Sequence, residues 1–172
     1  MSDEIFLIDT NSFITPYLNY YPFDFAPGFW EQMKQFIKNG RIVLLDMVKA
    51  EVLQGKDSLS DWMDGLEVGK LIDHREPAIL AQYAAVLQHI QENPCYRAAA
   101  LTEWARGTVA DAWLIATASA YSCTIITFEG PNNGLNPATP SKKAKIPDVA
   151  RAFEVKTENL FYMMRELGFS LR

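Results

Sequence analysis

The chain has 172 residues, 49% of them hydrophobic and 22% charged. These values fit one globular domain and exclude a disordered, collagen-like or coiled-coil chain. The net charge is −5 and the pI is near 5.0, which argues against general electrostatic binding to nucleic acid but leaves a local binding site possible. Residues 1–140 carry 17 acidic and 9 basic residues, whereas residues 141–172 carry 4 acidic and 7 basic residues.

Three features predict the cellular compartment. Cys95 and Cys123 are the only cysteines, too few for a disulfide framework, so a reducing compartment is expected. The sequence begins Met-Ser-Asp-Glu, which is acidic where a secretory signal is basic. The apolar stretch 112–128 contains five Ser and Thr residues and is too short to span a bilayer. We therefore expect a cytoplasmic protein without a membrane association.

Predicted strands alternate with predicted helices along the chain. Continuous apolar runs at 5–8, 41–45 and 124–128 are typical of buried parallel strands, and residues 153–156 form a weaker fourth strand. Helical spacing or helix-favouring composition lies at 29–37, 47–54, 58–66, 79–90, 98–106, 108–119, near 147 and at 157–167, with loops at 16–27 and 130–145. This order predicts an α/β domain with a mainly parallel sheet, whose functional site lies beyond the carboxyl ends of the strands.

Four carboxylates occupy positions where such a site would form. Asp9 directly follows the first predicted strand, and Glu129 lies just past the third. Glu51 and Asp111 lie on otherwise apolar faces of predicted helices. Each acid also has an ordinary structural explanation, such as a helix cap for Asp9 or a favourable position on the helix dipole for Asp111.

Together, the four acids predict a metal site. Clustered carboxylates repel one another and raise one another's pKa values, and a divalent cation removes that cost. Oxygen-only ligands favour Mg²⁺ or Mn²⁺ over zinc. His74 and His89 have no evident partners in the sequence, so we expect neither to bind this metal.

The same positions carry a resemblance to the PIN-domain nucleases. The matching segments are Ile8-Asp9-Thr10-Asn11-Ser12, Val48-Lys49-Ala50-Glu51-Val52, Ala110-Asp111-Ala112-Trp113-Leu114-Ile115-Ala116 and Thr127-Phe128-Glu129. Their order agrees with the family, and the likeness extends from residue 5 to about 167. The chain looks closest to the VapC-like bacterial branch, with an aromatic-rich insertion at 14–27 and the segment Ile146-Pro147-Asp148-Val149 near the end. The resemblance implies one domain over 1–172, a three-layer α/β/α sandwich with a mainly parallel central sheet.

The resemblance also implies a Mg²⁺- or Mn²⁺-dependent ribonuclease, with a possible role as the toxin of a toxin–antitoxin pair. The residues implied as catalytic and as ligands of one or two cations are Asp9, Glu51, Asp111 and Glu129. Thr10 and Asn11 would orient water or phosphate. Asp148 would contact the metal ligands without binding the metal itself or, more simply, would cap its own short helix.

RNA binding would require positive charge and stacking surfaces near these acids. Basic candidates flank the acidic segments or lie in the loop after Glu129: Lys49, Arg106, Lys142, Lys143 and Lys145. The three loop lysines fit a solvated loop equally well. Tyr20, Tyr21 and Trp30 are stacking candidates, although aromatic residues more often belong to a core or an interface. The aromatic segment 17–25 is a candidate for antitoxin binding or homodimer formation.

Two departures from the family pattern and three alternative functions bear on this interpretation. Many members have Asp in a Thr-x-Asp setting where this chain has Glu129, and the chain is longer than the compact toxins.

The first alternative, a haloacid-dehalogenase-type phosphotransferase, is disfavoured because such an enzyme normally has a second acid where this chain has Asn11. The segment 65–71 is one residue short of a phosphate-binding loop and lacks its Ser or Thr. A catalytically idle PIN-fold module that binds RNA or a protein stays open, although an acid at every matching position favours an enzyme.

Overall fold

The computed structural model describes residues 3–171. Its sheet contains five strands in the order β3-β2-β1-β4-β5, and every neighbouring pair is parallel. The strands are β1 (Phe6–Ile8), β2 (Ile42–Leu45), β3 (Leu71–Ile72), β4 (Thr124–Ile126) and β5 (Thr157–Glu158). Strand β1 lies in the centre, where Phe6 pairs with Ile42 on one side and with Thr124 on the other.

Helices flank the sheet, as the sequence predicts. They are α1 (Asn11–Thr15), α2 (Pro27–Lys38), α3 (Asp46–Leu53), α4 (Ser58–Asp64), α5 (Pro77–Glu92), α6 (Ala98–Trp104), α7 (Asp111–Tyr121), α8 (Ile146–Ala152) and α9 (Leu160–Glu166). Within residues 3–171, no helix is both long enough and apolar enough to cross a membrane.

Burial explains why the central strands read as continuous apolar runs. All residues of β1, β2 and β4 are buried, because both faces of a parallel sheet are covered. Helix α7 is buried at seven consecutive positions, 112–118, as expected for a helix surrounded by protein. Its Trp113 ring stacks on Tyr83 of α5, with ring centroids 3.6 Å apart. Asp111 therefore begins a helix that runs through the interior.

The predicted strand at 153–156 is wrong. Helix α8 ends there instead, since the Val155 amide donates to the Ala150 carbonyl at 3.0 Å and Glu154 adopts the left-handed conformation with φ of 56°. The edge strand β5 starts at Thr157, so the last helix begins later than the predicted span 157–167. The side chain of Asn159 caps α9 by accepting a hydrogen bond from the Tyr162 amide at 2.9 Å.

The loop predicted at 16–27 and the segment before β3 also differ from expectation. Residues Pro16–Tyr20 form a π-helical turn that continues α1, a geometry often found near functional sites. Strand β3 has two residues, too few to give a periodic signal. It follows Gly69, where a Cβ atom would lie 2.2 Å from the Lys38 carbonyl oxygen, so only glycine fits this crossing.

Candidate active site

Asp9 lies at the carboxyl end of β1 and is 5% exposed. Its Oδ2 accepts a hydrogen bond from the Thr127 hydroxyl at 2.9 Å, and its amide donates to the Ile126 carbonyl at 2.9 Å. The pKa of Asp9 is raised to about 6, mainly by burial and in smaller part by the charges of Glu129 and Glu51, while the Thr127 hydrogen bond opposes the rise. Asp9 is therefore a buried carboxylate that has no ion-pair partner in the described part of the chain.

Glu51 is brought to the same edge of the sheet by α3, which begins directly after β2. Its Oε2 accepts a hydrogen bond from the hydroxyl of Thr10, the residue that follows Asp9. Thr10 is buried, whereas Asn11 is exposed as the first residue of α1. Of these two candidate orienting residues, Thr10 thus contacts an acid and Asn11 faces solvent.

Asp111 is the first residue of α7 and is partly buried. Burial is the main effect that raises its pKa to about 7, followed by the negative charges of Asp9, Glu129, Glu51 and Glu103. Asp111 therefore lies within electrostatic range of the other three predicted acids.

Glu129 lies three residues past β4 and is held by two hydrogen bonds, one to a side chain and one from backbone. Its amide donates to the Thr127 hydroxyl at 3.1 Å, and its Oε2 accepts from the Ile146 amide at 2.8 Å. The Lys145 ammonium lies 3.9 Å from Glu129 Oε1. Glu129 therefore links the strand end to the start of α8.

The structure places these four acids, hereafter the acidic site, at the carboxyl edge of the sheet. Within the described part of the chain, one ion pair involves these acids, the contact between Lys145 and Glu129. The site therefore carries excess negative charge. The ligand oxygens are spread out: within residues 3–171, no three of these carboxylates offer atoms that all lie within 4.8 Å of one another. An oxygen-only set with unbalanced charge suits a hard divalent cation, which would draw the carboxylates together.

A second cluster, which the sequence analysis missed, lies at the ends of β2 and β3. Atoms of Asp46, Asp73 and His74 lie within 4.8 Å of one another. The His74 Nδ1 is 2.7 Å from Asp46 Oδ2, and the His74 amide donates to Asp46 Oδ1 at 3.2 Å. The expectation that His74 is isolated is therefore wrong. Both clusters lie at the ends of strands, but the sequence did not predict β3, so it gave no signal for this second cluster.

The ligand atoms of this second cluster are already engaged. Asp46 Oδ1 also accepts from the Met47 amide at 2.8 Å. Both oxygens of Asp73 accept from the Arg75 guanidinium, at 2.9 and 2.8 Å, which holds the pKa of Asp73 well below its usual range. The His74 ring packs edge-on against Trp113, with centroids 4.8 Å apart. The cluster acts as a polar clasp between β2, β3 and α7.

The remaining predicted residues fall in several environments. Asp148 accepts from the Asn132 amide at 2.9 Å, so it fixes the 130–145 loop and caps no helix. Arg106 lies 3.9 Å from Glu103. Trp30 is 2% exposed and donates through Nε1 to the Tyr21 carbonyl at 2.6 Å. The prediction that Trp30 stacks on a base is therefore wrong.

The basic candidates near the loop differ from one another in exposure. Lys142 and Lys143 are exposed, whereas Lys49 is partly buried. Lys145, also partly buried, is the candidate cation that contacts a member of the acidic site.

Comparison with known proteins agrees with this architecture. Residues 6–171 match the family model described as a domain of unknown function, DUF4411. No curated protein matches the chain significantly. A similar solved structure is that of VapBC2 from Rickettsia felis bound to a DNA fragment from their promoter, with a TM-score of 0.52 and 14% identity over 90% of this chain and 98% of that chain. This similarity confirms the PIN-like fold predicted from the sequence, and the chain belongs to the DUF4411 family.

Proposed function

We propose that this protein is a metal-dependent ribonuclease. The observation that carries the proposal is the gathering of four acids at the carboxyl edge of the sheet, where burial first, and the charges of the neighbouring acids second, raise the pKa of Asp9 to about 6 and that of Asp111 to about 7. Such shifts are typical of functional sites, where buried carboxylates and like charges lie together without compensation. The proposed ligands of Mg²⁺ or Mn²⁺ are Asp9, Glu51, Asp111 and Glu129.

Neighbouring residues of the chain would prepare this site. Thr127 and Thr10 each donate a hydroxyl hydrogen bond to one acid, which fixes the direction of that carboxylate. The Ile146 amide fixes one oxygen of Glu129. When bound, the cation would lower the pKa of a water molecule and offset charge on the phosphodiester.

RNA would approach through cations around the acidic site. Lys145 is the best-placed phosphate contact because its ammonium already lies near Glu129. Further proposed phosphate contacts are Lys49, Arg106, Lys142 and Lys143. Few such contacts imply modest affinity that falls with salt.

A toxin role with an antitoxin partner is a further part of the proposal. It is supported by the fold shared with VapBC2 from Rickettsia felis and by Leu18 and Phe25, which are 63% and 81% exposed in the aromatic insertion. We also propose that residues 1–172 act as one PIN-like domain, because one buried apolar cluster includes residues of the three central strands.

The test is cleavage of a labelled RNA with and without Mg²⁺ or Mn²⁺. We expect activity to require the cation, to stop with EDTA, and to fall at least about a hundredfold in Asp9→Asn and Asp111→Asn. Asp24→Asn, at an exposed loop position, is the matched control and should retain activity. Circular dichroism would check that the variants fold. If both site variants cleave RNA as fast as the wild type, the ribonuclease proposal is rejected. A wild-type protein that binds RNA but does not cleave it would instead be a catalytically idle module.

A further inference from the structure

We infer that Tyr20, Phe128 and Phe161, hereafter the aromatic patch, form a subsite that stacks an unpaired nucleobase beside the acidic site. The inference rests on the proposed function, since it concerns the nucleotide next to the cleaved phosphate. It assigns the patch to nucleic acid and not to a protein partner.

The three rings come from separate segments and meet at the surface. Tyr20 ends the π-helical turn, Phe128 follows β4, and Phe161 lies in the first turn of α9. The Tyr20 ring stacks on Phe128 with centroids 6.2 Å apart and 29° between planes, and it meets Phe161 edge-on at 6.2 Å. Tyr20 is 46% exposed and Phe161 38% exposed. The patch therefore offers aromatic surface to solvent.

Chain connectivity places the patch next to the acids. Phe128 stands between Thr127, which donates to Asp9, and Glu129 itself. A base on the patch would thus be attached to a sugar and phosphate within reach of the acidic site. Trp30 and Tyr21 do not offer this position, because Trp30 is buried and Tyr21 stacks on Phe29 with centroids 4.5 Å apart.

A groove leads away from this point along the edge strand. Its first part, about 270 Å³, is lined by Phe128 and Glu129 and then by polar residues of β5 and its flank, including Glu158 and Asn159. The second part, about 360 Å³, shares Pro131, Pro147 and Thr157 with the first and reaches Arg151. Arg151 is exposed and would contact a phosphate.

This composition favours a nucleotide chain over a peptide. A docked protein segment needs adjacent apolar pockets for several side chains, whereas this groove combines one aromatic surface with walls that mix prolines and polar residues, and its far end holds Arg151 and Lys156 beside Glu154. Stacking on an aromatic ring tolerates any base and contributes roughly 1–3 kcal/mol per base. Bases within a duplex already have both faces covered, so the patch would select unpaired nucleotides.

The experiment measures binding without cleavage, in an Asp111→Asn background. The probe is a short single-stranded oligoribonucleotide that contains 2-aminopurine, whose fluorescence falls when the base stacks. We expect the protein to quench the probe, and Tyr20→Ala to weaken binding about 5- to 150-fold, the range equivalent to one stacked base. Tyr20→Trp should preserve both affinity and quenching. Leu18→Ala, in the same π-helical turn and 63% exposed, is the matched control and should bind as the background does.

Three results would overturn the inference. One is equal affinity of Tyr20→Ala and the background, another is an equal loss in Leu18→Ala, which would indicate a general apolar surface such as a protein interface. The third is an equal loss of affinity for a blunt RNA duplex of the same sequence. If Tyr20→Ala lowers the melting temperature too far for a binding measurement, the RNA affinities of Tyr20→Phe and Tyr20→Leu are compared instead, since only the first keeps an aromatic ring.

Failure of the proposed function would look different. It would leave Tyr20-dependent binding intact while the unmodified protein shows no metal-dependent cleavage. Failure of the patch alone would leave cleavage intact and binding independent of Tyr20.

Discussion

The hydroxyl of Thr10 donates a hydrogen bond to Glu51 Oε2, which joins the end of the central strand to helix α3. Thr10 is 7% exposed, so the bond is sheltered from competing water. Thr127 does the same for Asp9 at 2.9 Å. Two acids of the site are thus oriented by threonines, and within residues 3–171 neither of them forms an ion pair with a basic residue.

We expect Thr10→Val to weaken cation binding about 10- to 100-fold, the usual cost of losing a residue that orients a metal ligand. Valine keeps the shape of threonine but donates no hydrogen bond, so Glu51 loses its fixed direction. Titration with Mn²⁺, followed by the loss of the free-ion electron paramagnetic resonance signal, measures the affinity. Thr10→Ser should restore most of it, and a Thr10→Val protein with wild-type affinity would contradict this role.

The strands that the sequence predicts correctly are those buried on both faces. β1, β2 and β4 are continuous apolar runs because every residue packs into the interior. β3 and β5 have two residues each, and such short edge strands exist through pairing with a neighbour. No local sequence pattern distinguishes such strands, and for this reason the sequence predicted a strand at 153–156 and not β5.

The acidic site is predictable for a related reason. Asp9 and Glu129 follow central strands, so the edge rule of parallel sheets finds them. The threonine bonds and the contact of Tyr20 with Phe161 join residues far apart in sequence, and only the folded chain reveals them. The Asp46–His74 contact was missed because it depends on β3.

We expect Asp111→Asn to stabilise the metal-free protein. A carboxyl whose folded-state pKa is raised to about 7 contributes its full stability below its unfolded pKa, near 3.9, and loses it as pH rises through the folded value. Asparagine cannot ionise, so it avoids the loss. The gain should be a few kcal/mol at pH 8 and close to zero at pH 4.

Urea unfolding in EDTA across this pH range measures the effect. Asp24→Asn, in an exposed loop, should track the wild type at every pH. An Asp111→Asn protein that is less stable than the wild type at pH 8 would show that burial and neighbouring negative charge do not destabilise the ionised Asp111 carboxylate.

We also expect cation binding to release protons at acidic pH. Ligand carboxylates bind metal in their ionised form, and at pH 6 Asp111 is mostly protonated while Asp9, with a pKa raised to about 6, is partly so. About one proton should therefore leave per Mn²⁺ bound at pH 6, and nearly none at pH 8.5. Calorimetry in two buffers of different ionisation enthalpy counts the protons, and heats at pH 6 that are independent of the buffer would contradict the expectation.

The polar clasp gives a prediction about stability alone. Asp46 accepts hydrogen bonds from the His74 amide and lies 2.7 Å from the His74 ring nitrogen, and both side chains are partly buried. Asp46→Ala leaves these groups unpaired and should cost about 2–3 kcal/mol, whereas Asp46→Asn keeps the Oδ1 acceptor and should cost about 1 kcal/mol.

Urea unfolding midpoints compare these variants with Asp24→Asn. Asp24 lies in an exposed loop outside the clasp, so this control should unfold nearly as the wild type does. Because the clasp lone pairs are already used, Zn²⁺ should not raise the melting temperature through it. Zinc stabilisation that vanishes in Asp46→Ala would instead mean that the clasp opens to bind metal, since only ligation by Asp46 links the two results.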